Sequence, residues 1–331
     1  VQTALLKLVD NLSGHRVMVI GDMVADVYLE GKISRISREA PVLVLEHDGE
    51  TVVPGGAANA VHNAATLGGD VFAVGVVGDD AAGRELAAIL AGKRVHTAGL
   101  IVDPARPTIT KTRVMAGGLA TVRQQIVRID RESKEKMVPA VEKSISEYIE
   151  ANIDAMAAVV MSDYGSITLS PAVRGLVISA CRRLGIPCIV DSRYNILAFA
   201  GATVVKQNEA EVAAALGYKP LAGDTLLEAG HRMLEAMAAE AVMLTRGPDG
   251  MSLFEAAGRV THIPVADVSE VFDVTGAGDT AVVTAALALA AGASYVEATR
   301  LANIAAGVVV RKPGTATTTA AELREAVGSL T

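Results

Sequence analysis

Short runs of apolar, largely β-branched residues recur along the chain at positions 17–20, 71–77, 158–162, 188–190 and 242–245, separated by amphipathic or Ala-rich stretches. An unbroken apolar run bounded by turn residues suits a strand covered on both faces, as in a parallel sheet flanked by helices. The alternation predicts β-α-β units and a doubly wound α/β fold with a mostly parallel sheet. One intervening helix is plain from Leu226, Leu227, Met233, Leu234 and Met237, which recur near helical spacing behind a candidate cap at Asp224. No fixed-period repeat, heptad array or low-complexity tract is present.

Two stretches break the rhythm. Residues 41–53 and 107–129 are rich in β-formers but have no helical crossover between their strand-like runs, and Gly117-Gly118 looks like a turn between antiparallel strands. A small second sheet is expected, a β lid built from segments 28–53 and 107–129 inserted in one domain spanning 1–331. The alternative is that these are ordinary strands of the main sheet. Val42, Leu43, Val44 and Leu45 are apolar at both parities, so both faces of that strand want cover. One face could close over a ligand and the other meet a second subunit, which predicts a homodimer through the β lid.

The 331 residues are 51% apolar and 20% charged, enough for one large core and unlike a disordered or collagen-like chain. Lys plus Arg number 30 against 37 Asp plus Glu, a formal charge of −7. That balance argues against general binding to nucleic acid or membrane surfaces, and an anionic ligand would need its own basic pocket. Two cysteines, Cys181 and Cys188, cannot make a disulfide framework or a Cys-rich zinc site. A reducing cytoplasm fits best, and the N-terminus shows no secretory pattern. The longest uncharged apolar stretch, between Asp279 and Glu297, is interrupted by Thr284, Gly292 and Ser294 and reads as a buried helix.

The most informative chemistry lies at 273–280, Asp-Val-Thr-Gly-Ala-Gly-Asp-Thr, ahead of the apolar run 281–291. Small residues before a helix turn tightly and aim unpaired backbone N–H groups outward, where they stabilise negative charge. A carboxylate there, Asp279, would repel phosphate unless it has its own task, such as accepting a proton from a hydroxyl nucleophile. The plainer reading has Asp279 favouring the positive helix end. A second glycine turn, 54–59 (Pro-Gly-Gly-Ala-Ala-Asn), permits close approach of a ligand, and Asn59 offers a donor and an acceptor that suit a polar sugar. A plain loop-to-helix junction is the alternative. Asp22 and Asp26 follow the first strand, at the edge where α/β sheets gather ligands. Exposed turn acids are the competing reading, favoured for Asp22 more than for Asp26.

Walker-type, α/β-hydrolase, zincin and dinucleotide-binding signatures are all missing. The six histidines, His15, His47, His62, His96, His231 and His262, lack ligand spacing, and no metal ligand is assigned.

Taken together, the Gly21 to Asp26 opening, Gly55-Gly56-Ala57-Ala58-Asn59, Asn208-Glu209-Ala210-Glu211, the T-x-G-x-x-G element from Thr245 to Gly250, and Asp273 to Asp279 resemble the PfkB, or ribokinase-like, family of carbohydrate kinases. Each motif alone is weak, but their order and separation span nearly the whole chain. The resemblance implies ATP-dependent transfer to a sugar hydroxyl. Asp279 would be the base, and Gly276, Ala277 and Gly278 would form an anion hole through backbone N–H groups. Asp26, Gly55, Gly56 and Asn59 would hold the sugar. Asn208 and Glu211 match the element that organises Mg2+ and phosphate, through water as magnesium prefers, although a helix cap with an exposed acid is the competing reading. Thr245, Arg246 and Gly247 would flank the nucleotide and Asn303 would sit near the adenine. The insertion sheet would be a lid that excludes water, which otherwise competes as phosphoryl acceptor.

Within that family the chain looks most like the subgroup that phosphorylates D-glycero-D-manno-heptose 7-phosphate at the anomeric hydroxyl. The residues carrying this are Gly21-Asp22 with Asp26, Ser34-Arg35-Ile36-Ser37 with Glu39-Ala40-Pro41-Val42, Pro54 to Asn59, Pro107-Thr108-Ile109-Thr110-Lys111 with Arg113-Val114, Ser162-Asp163-Tyr164, and Val274 to Thr280. A phosphorylated acceptor gives Lys111, Arg113, Arg123 and Arg128 a purpose in an acidic protein, against the plainer reading of solvated strand charges. The subgroup commonly reads D-P-K where this chain has Asp191-Ser192-Arg193, and an arginine where it has Val27. These departures bear on the sugar rather than the reaction, and fructose, ribose or fructose 6-phosphate remain alternative acceptors. K+ could activate through the loop 311–319. Many relatives carry a second, nucleotidyl-transferring domain, so the chain is either a kinase acting alone or part of a longer protein. A silent sugar-binding protein is disfavoured by Asp279 and its glycine turn, and an oxidoreductase by the missing dinucleotide fingerprint.

Overall fold

The structure is a computed structural model that describes residues 1–117, 124–219, 223–265 and 271–330. In chain order the strands are β1 (Arg16–Gly21), β2 (Met23–Ile36), β3 (Leu43–Gly56), β4 (Asp70–Gly78), β5 (His96–Asp103), β6 (Ile109–Gly117), β7 (Gln124–Arg131), β8 (Ala158–Asp163), β9 (Cys188–Ser192), β10 (Val204–Asn208), β11 (Ala241–Thr245), β12 (Met251–Glu255) and β13 (Val260–Ile263). The helices are α1 (Gln2–Asp10), α2 (Ala57–Thr66), α3 (Ala81–Gly92), α4 (Pro139–Asn152), α5 (Pro171–Leu184), α6 (Glu209–Leu216), α7 (Asp224–Met237), α8 (Ala277–Ala290), α9 (Tyr295–Val309) and α10 (Ala320–Gly328).

Among the described residues, nine strands form the main sheet in the order β13-β12-β11-β10-β9-β8-β1-β4-β5. It is parallel from β5 to β11 and antiparallel only at the β12 and β13 edge. This is the doubly wound α/β fold that the apolar runs predict. The alternation inside each run sets the two faces of the sheet. Val17 and Val19 of β1 join one core with α1, α2, α3, α8, α9 and α10, while Met18 and Ile20 join the opposite core with α4, α5, α6 and α7. The stretch after Asp279 becomes α8, buried almost throughout, as its composition requires. No helix among the described residues is long and apolar enough to cross a membrane.

The two β-rich stretches form a separate four-stranded sheet ordered β3-β2-β6-β7. Its centre is a parallel pair, β2 with β6, flanked by antiparallel β3 and β7. The pairing starts earlier than the sequence suggests, at Met23 opposite Gly56, and β7 runs on to Arg131. Gly118 lies outside the described residues, as does Arg123. The apolar strand end is bare: Val42 is 55% and Leu43 42% exposed, and Ile36, Ile126, Val127 and Ile129 are exposed too.

Two local expectations change. The N-cap of α7 is Gly223, at φ +53°, and Asp224 is the first helical residue, a first-turn acid without a side-chain cap bond. Asp22 is not an exposed turn acid. It is fully buried between β1 and β2, and its carboxylate accepts from the N–H groups of Tyr164, Ser166 and Thr168 at 2.9, 3.1 and 3.3 Å.

Candidate active site

The carboxyl ends of β8, β9 and β10 open into a cavity of about 440 Å³, floored by the start of α8 and covered by the small sheet. Gly276 caps α8 at φ +81°, a left-handed conformation that glycine adopts freely. A Cβ at Gly276 would lie 2.7 Å from Asn59 Nδ2, and one at Gly278 2.7 Å from Lys206 Nζ. Both glycines line the cavity. The N–H groups of Gly278 and Asp279 fall in the first turn, where a helix provides no internal acceptor. The Ala277 N–H instead donates to the Val274 carbonyl at 3.3 Å.

Asp279 is 4% exposed. Its Oδ2 accepts from Asn59 Nδ2 and its Oδ1 from the Tyr164 hydroxyl, both at 2.8 Å. Burial pushes the Asp279 carboxyl up to about 6, helped by the negative charge of Asp191 and opposed by the Asn59 and Tyr164 hydrogen bonds and by Lys206. A carboxyl titrating there is partly protonated in mildly acidic solution and a competent base near neutrality. Asn59, fully buried on α2, receives Asn63 Nδ2 on its own Oδ1 at 3.1 Å. It stands behind the carboxylate rather than on the cavity wall.

Lys206 rises from β10 to pair with Asp191 of β9 at 2.6 Å, with both side chains largely buried. Burial alone would lower the lysine's pKa, but Asp191, with the negative charges of Glu211 and Asp279, turns the net direction upward. The cation sits beside the Gly278 turn. Asn208 and Glu211 make the complete capping box of α6: Asn208 Oδ1 accepts from Glu211 N–H and Glu211 Oε2 from Asn208 N–H, each at 2.8 Å. Both also line the cavity, so the cap fixes two oxygen-bearing side chains at its edge. Burial, with Asp191 nearby, raises the Glu211 pKa.

From the small sheet, buried Asp26 and half-buried Arg113 form an ion pair at 2.7 Å, with the guanidinium 5.3 Å from the Tyr28 ring centroid. Gly55 makes room for that pair, since a Cβ there would lie 2.5 Å from Asp26 Oδ2. Gly56, Lys111 and Arg128 complete this wall. Lys111 Nζ stands 5.4 Å from the Tyr164 ring centroid, and Arg128 pairs with Asp130 at 2.8 Å.

The structure thus gathers Asp26, Gly56, Lys111, Arg113, Asn208, Glu211, Gly276, Gly278 and Asp279 around one cavity. Thr245, Arg246, Gly247 and Asn303 lie off it. Thr245 pairs in register with Asn208 at the end of β11, and Arg246 bonds Glu209 at 2.9 Å. Gly247 opens a short 3-10 turn, and Asn303 Nδ2 donates to the Pro264 carbonyl at 2.7 Å. Lys206 is not singled out by the sequence, where its local signal is slight: a lysine directly after the apolar pair Val204-Val205. Tyr164, Asp191 and Arg193 stand out in the sequence only as parts of a resemblance. Among the described residues no group of three or more His, Cys, Asp or Glu side chains could cage a metal.

Residues 15–322 match the profile of the pfkB family carbohydrate kinases. The chain belongs to that family. The kinase is 42% identical over 329 residues to the bifunctional protein HldE of Geobacter sulfurreducens, covering 98% of this chain and 65% of that protein. It is 46% identical over 316 residues to the bifunctional protein HldE of Azorhizobium caulinodans, covering 94% of this chain and 64% of that one. The kinase therefore spans just under two thirds of these relatives. Its fold is similar to phosphofructokinase-2 from Escherichia coli in complex with potassium, with a TM-score of 0.74, 19% identity and coverage of 96% of this chain and 99% of that one. Ribokinase from Arabidopsis thaliana complexed with ribose and ATP gives a TM-score of 0.72, 19% identity and coverage of 95% and 99%.

Proposed function

We propose that the kinase transfers the γ-phosphoryl group of ATP to a sugar hydroxyl, with D-glycero-D-manno-heptose 7-phosphate as acceptor and the 1,7-bisphosphate as product. The observation that carries this is the placing of Asp279: a buried carboxylate at the first turn of α8, facing the same cavity as two glycine N–H positions and the cations of the small sheet. In this reading Asp279 takes the proton of the attacking hydroxyl. The free first-turn amides of Gly278 and Asp279, at the Gly276-Ala277-Gly278 turn, receive the negative oxygens of the transferring group, and Lys206 adds a positive charge beside that turn. Asp26, Gly55, Gly56 and Asn59 serve the sugar, Asn59 by holding the base.

Lys111, Arg113 and Arg193 supply the basic pocket that a phosphorylated acceptor needs. The high identity to HldE proteins over nearly the whole chain supports the heptose acceptor. Thr245, Arg246, Gly247 and Asn303 would follow the nucleotide outward from Asn208. The oxygen donors of Asn208 and Glu211, both at the cavity edge, suit Mg2+ held through water. Bound magnesium neutralises phosphate charge as it moves to the acceptor.

The exposed apolar edge of the small sheet supports a homodimer through the lid, and both cysteines are buried free thiols, in keeping with a reducing cytoplasm. Light scattering showing a stable monomer at assay concentrations would reject the dimer.

The decisive experiment is a coupled ADP-release assay with Mg-ATP across heptose 7-phosphate, fructose 6-phosphate, fructose, ribose and a no-sugar control. Strong preference for the heptose phosphate is expected. Preference for another sugar would reject this acceptor and keep the reaction, while no sugar-dependent release would reject the kinase reading. The assay is run in K+ and in Na+, because Gly314 N–H on Asp273 Oδ2 at 3.0 Å ties loop 311–319 to the anion turn, where an activating K+ would be felt.

A further inference from the structure

The loop after β8 holds two carboxylates at once. Its backbone N–H groups at Tyr164, Ser166 and Thr168 converge on buried Asp22, which fixes the loop to the junction of β1 and β2. Tyr164 then turns its side chain back into the cavity, its hydroxyl on Asp279 Oδ1 at 2.8 Å and its ring beneath Lys111 of β6. The phosphoryl-transfer reading above has no use for this hydroxyl.

We propose that Tyr164 is a positioning residue that fixes the Asp279 carboxylate for proton abstraction and ties that placement to the small sheet through Lys111. The proposal rests on Asp279 being the base. Asn59 alone would leave the carboxylate free to turn about its last torsion, which is broad and soft for aspartate. A second donor on the other oxygen fixes the carboxylate plane, and each oxygen keeps a lone pair for the sugar hydroxyl. A cation over the ring is attracted to its face, so the sheet that covers the cavity also touches the group that aims the base. Burial and Asp279 raise the phenol well above its ordinary pKa, so it remains a donor. The other groups facing Asp279 are Asp191 of β9, Lys206 of β10 and Asn59 of α2, while Asp191 and Arg193 face Tyr164.

Tyr164→Phe keeps the ring and removes only the hydroxyl. The direct readout needs no acceptor: a 13C-carboxyl titration of aspartate-labelled enzyme, with the Asp279 signal identified as the one missing from Asp279→Asn. Its midpoint is expected near 6 in the parent and about one pH unit higher in Tyr164→Phe, because a hydrogen bond to the charged form is lost. The acid limb of kcat moves with it, kcat falls, and the KM for Mg-ATP stays put. A residue that merely supported the fold would depress turnover equally at every pH. Lys111→Met is expected to shift the midpoint more in the parent than in Tyr164→Phe; equal shifts in the two backgrounds would overturn the link to the small sheet. An unmoved midpoint and acid limb in Tyr164→Phe overturn the proposal as a whole. Wild-type turnover in Asp279→Asn would instead overturn the base assignment, which separates the two failures.

Discussion

Asp279→Asn is expected to remove activity and to make the folded protein more stable above neutrality. Asp279 has a folded pKa of about 6 against an ordinary value of 3.8. A group whose pKa is raised on folding contributes stability that is full below its unfolded value and is lost as pH rises through the folded one. At about 1.4 kcal/mol for each tenfold, the ionised carboxylate costs the fold about 3 kcal/mol at pH 8 and about half that at pH 5. Asparagine carries no charge and so escapes this cost. It also leaves no orphaned neighbour: its amide oxygen accepts from Asn59, and its amide nitrogen donates to the Tyr164 oxygen once that O–H rotates away. Calorimetry at pH 8 should show a melting temperature about 4 °C above the parent, with the gap narrowing toward pH 5. Turnover in the coupled assay falls about 10²- to 10⁴-fold. Asp279→Leu, which strands both donors, should be destabilised at either pH. A loss of stability in Asp279→Asn at pH 8, or a gain independent of pH, would refute the burial argument.

The parent enzyme should show a one-proton acid limb in kcat with a midpoint near 6, as Asp279 protonates; activity flat down to pH 5 would contradict it. Gly55→Ala places a Cβ 2.5 Å from Asp26 Oδ2 and forces that carboxylate off Arg113. Saturation curves should show the sugar KM rising about tenfold or more with the ATP KM unchanged, and an equal rise in both would count against Asp26 serving the sugar. Lys206→Met strands the buried Asp191 carboxylate, for which a loss of about 3–5 kcal/mol is expected in denaturant unfolding. A loss below about 1 kcal/mol would mean that water already solvates the pair.

The strands that can be read from the sequence are those whose apolar runs are unbroken, such as β1, β8 and β11. The strand β10 is hidden because Lys206, Gln207 and Asn208 interrupt its pattern; Lys206 and Asn208 do so because they line the cavity, and Gln207 because it bonds the Ser192 carbonyl at the end of β9. Polar residues that make the site thus blur the element that carries it. The glycine turns at 55–56 and 276–278 are visible because backbone geometry leaves its mark on local sequence. Contacts across the chain leave none: Asn59 meets Asp279 220 positions away. Asp22 looks like an exposed turn acid for the same reason, since its three amide donors come from a loop some 140 residues later. Asp224 misleads by one residue, because the left-handed turn at Gly223 already starts the helix.

β1 ends at Gly21 and β2 begins at Met23, so only Asp22 separates the floor of the molecule from its cover. The return crossing is equally short: β3 ends at Gly56, and the Ala57 N–H that opens α2 donates to the Asp22 carbonyl at 3.0 Å. The cover is therefore rooted rather than hung from a slack loop, and its root lies beside the residues that hold the base. Its far end, around residues 31–47, stands clear of that root and pairs with β bulges. Length and sequence can change at the tip while the root stays fixed, which lets such a fold alter what it encloses without rebuilding the machinery beneath.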